Sequence, residues 1–202
     1  MKAKSALIAS IATVGIASSA NAQDFTSAGG TIVNGSATHT VDLIIGASGT
    51  IADLDITTNW ASHAWVGDLN VSLTHVNTGT TVDIFEDVGP GTGSSADLAG
   101  LYRFNDESPT TFLSAVIAAG TGVVAPGNYQ ASNSLDAQTF LSAFDGQNIN
   151  GTWRLTIVDD FPGSADGNLT NFTLHMTVPA PGALGLLGVA GVAGLGRRRS
   201  RR

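Results

Sequence analysis

Asn171-Phe-Thr-Leu-His-Met-Thr-Val178 decides the fold class. Phe172, Leu174, Met176 and Val178 alternate with Asn171, Thr173, His175 and Thr177. An extended chain therefore sends the four apolar side chains to one face and the four polar ones to the other. The same period of two recurs elsewhere. Leu69, Val71 and Leu73 alternate with Asn70, Ser72 and Thr74; Trp153, Leu155 and Ile157 alternate with Arg154 and Thr156; Leu54, Ile56 and Trp60 share a face opposite Asp53 and Asp55. Turn sequences separate these runs: Gly46-Ala-Ser-Gly49, Asn77-Thr-Gly79, Gly89-Pro-Gly-Thr-Gly93, Pro126-Gly127 and Asp166-Gly167. Many short strands, each with one wet face, predict an all-β protein, a jelly-roll-like sandwich of short antiparallel strands. Only residues 111–119 read as a helix, with no evident cap at their start. Asn150-Gly151 reads as a hairpin turn that sets Trp153 on the inner face, and Gly67 as a turn residue with positive φ.

The 202 residues are 43% hydrophobic and lack cysteine, so the chain can bury a core but has no disulfide framework, thiol nucleophile or Cys-ligated metal. Charge is segregated. All sixteen acids lie between Asp24 and Asp166, where only Arg103 and Arg154 oppose them; the other basic residues are Lys2, Lys4 and five arginines from Arg197 onward. Nucleic acid is excluded as a partner, because phosphate binding needs clustered Lys and Arg.

The two ends read as addresses. Residues 1–22 form a signal peptide: Lys2 and Lys4, then an apolar stretch, then Ala20-Asn-Ala22, with cleavage between Ala22 and Gln23. Residues 23–37 are a lead-in, 38–178 the sandwich and 179–202 a tail. In that tail the uncharged run 183–196 is shorter than the ~20 residues of a membrane helix. Val178-Pro179-Ala180-Pro181, the short apolar run and the Arg197, Arg198, Arg199 cluster resemble the PEP-CTERM sorting tail of Gram-negative bacteria. Ala180 departs from that motif, which usually carries Glu there. The resemblance implies export, transient membrane insertion through the tail, and removal of the tail by an exosortase-like processing protease. The body would then stand in the cell envelope or outside the cell. A simple C-terminal anchor is the alternative.

Three segments of the body resemble the P domain (P/Homo B domain) of subtilisin-like proprotein convertases. The first runs from Ile51 through Trp60-Ala-Ser-His-Ala-Trp-Val-Gly-Asp-Leu69 to Leu73. The second is Gly79-Thr-Thr-Val-Asp-Ile-Phe85, a glycine-rich loop and Phe104-Asn-Asp-Glu-Ser108. The third is Leu141-Ser-Ala-Phe-Asp-Gly146, Asn150-Gly-Thr-Trp-Arg-Leu-Thr-Ile-Val-Asp-Asp160 and Asp166-Gly-Asn-Leu169. Ala64, His75-Val76 and Phe172 depart from the family's usual residues. In convertases this domain follows a subtilase catalytic domain and stabilises it. The resemblance therefore implies a non-catalytic protein, since no Gly-x-Ser-x-Gly elbow is present. His75 and His175 read as solvated, and His63 as making a structural hydrogen bond in its turn.

Calcium is the expected cofactor. It takes six to eight hard oxygen ligands. Asp53 and Asp55 point the same way from one strand, Asp68 lies in the following turn, and Asp106 and Glu107 form an acidic loop. The resemblance brings Asp106 and Glu107 beside Asp68, so the five are expected to converge. Asp159, Asp160 and Asp166 form a second candidate. The leading functional reading is a calcium-stabilised envelope or extracellular-matrix protein. The alternatives are a polysaccharide- or protein-binding module, supported if Trp60, Trp65 or Tyr102 is exposed, and an accessory subunit of a separately encoded secreted protease.

Overall fold

The structure, a computed structural model, describes residues 20–33, 35, 37–89, 94–133, 138–161 and 166–179. Residues 20–179 form one compact unit. Pro181, Arg197, Arg198 and Arg199 of the expected tail lie outside the described residues, whereas Val178 and Pro179 end a strand.

Two sheets share one core. The first is ordered β1 (Ala20–Thr26), β11 (Gly167–Pro179), β4 (Asp53–His63), β7 (Leu98–Phe104) and β8 (Gly127–Tyr129), with β2 (Gly30–Ile32) also paired to β11. The second is ordered β3 (Ala37–Ile45), β10 (Gly151–Asp159), β5 (Leu69–His75), β6 (Thr80–Glu86) and β9 (Ser132–Asn133). The pairs β7–β8 and β6–β9 are parallel and the rest antiparallel. The predicted all-β sandwich is therefore present, with two parallel contacts at its margins. Pairing also reaches into the expected lead-in, because β1 and β2 both lie along β11.

Alternation does the packing. On β11, Phe172, Leu174, Met176 and Val178 are buried, as are Leu69, Val71 and Leu73 on β5 and Trp153, Leu155 and Ile157 on β10. Removing such side chains from water contributes about 1.5–3 kcal/mol each. Aromatic rings close the space between the sheets. Phe85 of β6 lies 5.8 Å from Phe104 of β7, and Phe112 packs against both at 4.8 and 5.1 Å. Phe112 opens the single described helix, α1 (Phe112–Ala119). The expectation of an uncapped helix is corrected: Thr111 is extended, and its hydroxyl accepts the Ser114 amide.

Two turn expectations also change. The left-handed residue of the Trp65–Leu69 turn is Trp65, at φ 62°, while Gly67 sits inside a 3-10 turn, Val66–Asp68. Asn150-Gly151 is not a hairpin, because β10 pairs with β3 and β5 rather than with a chain neighbour. Gly151 is needed for another reason. Its φ is +142°, and a Cβ there would stand 2.5 Å from Asn77 Oδ1 and 2.6 Å from His75 Nε2.

Candidate functional site

Strand β4 carries a carboxylate cluster at its start. Asp53 and Asp55 leave the strand on one face, and Arg103 approaches from β7, where it is paired opposite Thr57. Arg103 donates to Asp55 Oδ2 from Nη2 at 2.6 Å and Nε at 3.1 Å, and Asn105 Nδ2 reaches the same oxygen at 3.4 Å. All three donors therefore converge on one oxygen. The other, Oδ1, is buried and has no hydrogen-bond partner among the described residues. Asn105 Oδ1 accepts the Glu107 amide at 2.8 Å, which turns the loop so that Glu107 faces β4. One carboxylate oxygen from each of Asp53, Asp55 and Glu107 lies within 4.8 Å of the others. Burial raises the Asp53 carboxyl above its ordinary range, with repulsion from Asp55, Glu107, Asp145 and Asp106 adding to it. Asp145 is raised by burial, then by Asp106 and Glu107.

Asp106 has a different task. Its Oδ1 accepts the Leu141 amide at 2.9 Å and its Oδ2 the Ser142 amide at 2.8 Å, so it caps the 3-10 turn Leu141–Phe144. Both oxygens face free backbone donors at that end.

The expected convergence of five acids is corrected at Asp68. His63 ends β4, eight residues beyond Asp55, which is roughly 25 Å of extended chain. Asp68 lies beyond His63, and its neighbours are Asp159, Asp160 and Asp87. Burial, then repulsion from those three, pushes its carboxyl up to about 6. Asp68 Oδ2 is buried without a hydrogen-bond partner among the described residues. Asp159 is fully buried on β10, and His63 Nε2 from the opposite sheet lies 3.4 Å from its Oδ2. Burial lowers the His63 pKa more than Asp159 raises it, so the ring is neutral at pH 7.

Two histidines depart from the solvated expectation. His75 is 1% exposed and stacks on Trp153, with centroids 4.3 Å apart and planes 9° off parallel. His175 is part-buried, between Thr57 Oγ1 at 2.9 Å from Nε2 and Asp24 Oδ1 at 2.8 Å from Nδ1. That hydroxyl–imidazole–carboxylate order is the order of a hydrolytic triad. It lies across three adjacent strands, β4, β11 and the edge strand β1. A triad also needs donors aimed at a developing oxyanion. The row is a cross-strand polar ladder.

Of the three aromatic residues that bear on sugar stacking, Trp60 and Tyr102 are buried and Trp65 is half-exposed. The Trp65 amide donates to Asp97 Oδ1 at 3.2 Å, which helps to hold its left-handed backbone.

No curated protein sequence matches this chain significantly. Among solved structures it is similar to a chain of the Aeromonas sobria serine protease–chaperone complex, at 12% identity and TM-score 0.40, over 80% of this chain and 27% of that one. It is also similar to the serine protease of Aeromonas sobria alone, at 12% identity and TM-score 0.39, over 77% and 27%. The chain thus spans about a quarter of the length of those chains. Residues 119–176 match the family model of the proprotein convertase P-domain, a stretch that holds β10 and most of β11, each an interior strand of its sheet.

Proposed function

We propose that the chain is a non-catalytic, calcium-stabilised scaffold, exported to the cell envelope or extracellular matrix of a Gram-negative bacterium. The observation that carries this reading is the P-domain match across residues 119–176 in an all-β sandwich. Export rests on the sequence of the two ends. Cleavage after Ala22 leaves four of the seven β1 rungs, from Gln23–Met176 to Thr26–Thr173, and removal of the tail after Val178 leaves β11 paired along β4. Both trims are thus compatible with the sandwich. The partner in that processing is an exosortase-like protease.

The test is to express the full-length chain in a Gram-negative host that encodes an exosortase, then measure the intact mass of the exported protein. It should begin at Gln23 and end within residues 178–181. Retention of Arg202 would overturn the sorting reading. The recovered protein should turn over no protein, ester or glycoside substrate, and hydrolysis that disappears in Thr57→Ala would overturn the non-catalytic one. A second reading, a polysaccharide- or protein-binding module, is favoured by the half-exposed Trp65 ring. An accessory role beside a separately encoded secreted protease is a third, favoured by the family match alone.

A further inference from the structure

We infer that Asp53, Asp55 and Glu107 hold a single divalent cation, with Asp55 Oδ1 as its buried ligand, and that this ion fastens the start of β4 to the loop after β7. The inference deepens the calcium-stabilised reading and rests on it only for the identity of the ion. An acidic cluster alone would carry nothing, since exposed carboxylates gather on many surfaces. The second observation is the asymmetry at Asp55. Its residue is 4% exposed, and three side-chain donors crowd onto Oδ2 while Oδ1 has none. A buried anionic oxygen without a donor is costly, so a structure retains one where something else satisfies it.

The donor set identifies the class of ion. All three side chains offer carboxylate oxygens, with no imidazole or thiolate among them, which suits a hard cation over zinc or copper. Ligand atoms within 4.8 Å of one another fit around an ion with bonds of about 2.4 Å, the calcium range. Magnesium demands a tighter, near-ideal octahedron at about 2.0–2.1 Å and keeps several of its waters, so a trio of side-chain carboxylates suits it less. Arg103 neutralises one charge through Oδ2, so the trio carries an excess that a doubly charged ion balances. The Asn105 side chain braces the loop that presents Glu107, and Asp106 anchors the same loop to the turn Leu141–Phe144. An ion at this point therefore ties three segments together.

The experiment is thermal unfolding of the full chain in EGTA and in millimolar CaCl₂ at matched ionic strength, with titration calorimetry using CaCl₂ and MgCl₂. Calcium at about a hundredfold excess over Kd should raise Tm by about 5–10 °C. Glu107→Gln keeps the size of an exposed side chain and leaves the Arg103 pair intact. It should abolish both the shift and the calcium heat while holding the EGTA Tm near that of the parent. Asp53→Asn should abolish the shift and raise the EGTA Tm, because it relieves repulsion. Asp68→Asn, at the far end of β4, should keep the shift in full. Equal Tm values with no heat in the parent would overturn the inference, as would a shift that survives in both Glu107→Gln and Asp53→Asn. Neither result bears on the intact mass or the hydrolysis assays, so failure here is distinguishable from failure of the scaffold reading.

Discussion

Asp68→Asn should stabilise the protein at neutral pH and do almost nothing at pH 4. Asp68 is 8% exposed, among Asp159, Asp160 and Asp87, with the neutral His63 ring beside Asp159 from the opposite sheet. Its carboxyl stands at about 6 in the folded protein against 3.8 as the ordinary value. The folded state thus holds this proton more tightly than the unfolded chain does. The corresponding stability is fully present below pH 3.8 and is lost as pH rises through 6. At pH 7 the ionised carboxylate costs about 3 kcal/mol, from the shift multiplied by about 1.4 kcal/mol per unit. At pH 4 the residual cost is about 0.6 kcal/mol, since the unfolded chain is by then half protonated.

Asparagine occupies nearly the same volume and never ionises. For a unit of this size the gain at pH 7 corresponds to a Tm increase of about 6–12 °C. The assay is a set of paired melts of parent and variant at pH 7, 6, 5 and 4, in EGTA and at constant ionic strength. Taking the difference at each pH cancels the titration of distant groups. The gain should shrink steadily toward pH 4. A lower Tm for the variant at pH 7 would refute the reasoning, because it would mean that a counter-charge already holds the carboxylate. A gain of equal size at every pH would refute it too, by separating the effect from ionisation.

Gly151→Ala should lower stability by about 2 kcal/mol or more, read as a reduced urea midpoint, because the new Cβ meets Asn77 and His75 at a backbone angle that alanine rarely adopts. Intrinsic fluorescence should show a quenchable fraction in iodide that vanishes in Trp65→Phe, since Trp60 and Trp153 are sealed in the core and Trp65 is half-exposed.

Period-two reading carried the sandwich, because one-sided burial writes itself directly into the sequence. It also held information about the polar residues of the core. Continuing Leu69, Val71, Leu73 by two more places reaches His75, and continuing Trp153, Leu155, Ile157 reaches Asp159; both are buried. The parity was legible and the burial was not, since a polar residue that ends an apolar series can fall inside or outside according to where the opposite sheet stops. Here the other sheet supplies His63 against Asp159, whereas His75 is covered from within its own sheet by the ring of its cross-strand partner Trp153. The helix cap is missed when Thr111 is counted as the first helical residue; a threonine directly before the apolar Phe112-Leu113 is the residue type that caps a helix start. The strands β1 and β2 were harder. Each pairs with β11, more than a hundred residues away, and nothing local in Gly30–Ile32 reports a partner at that distance.

The acids divide for a related reason. Asp53 and Asp68 are fifteen residues apart in sequence, but Asp53 opens β4 and Asp68 follows the turn beyond its far end, so the strand that joins two loops in the chain separates them in space. The charged neighbours of Asp53 are Asp55, Glu107, Asp145 and Asp106, and those of Asp68 are Asp159, Asp160 and Asp87, so the two groups share none. Each end therefore meets its charge locally and by different means. At the start of β4 a guanidinium takes one oxygen of Asp55 and leaves its partner oxygen open to an ion. At the far end, among the described residues, no arginine or lysine is paired with Asp68 or Asp159 and a neutral ring stands opposite Asp159, so the proton itself is the cheapest available counter-charge. One strand thus separates the proposed cation site from a carboxyl group that answers to pH.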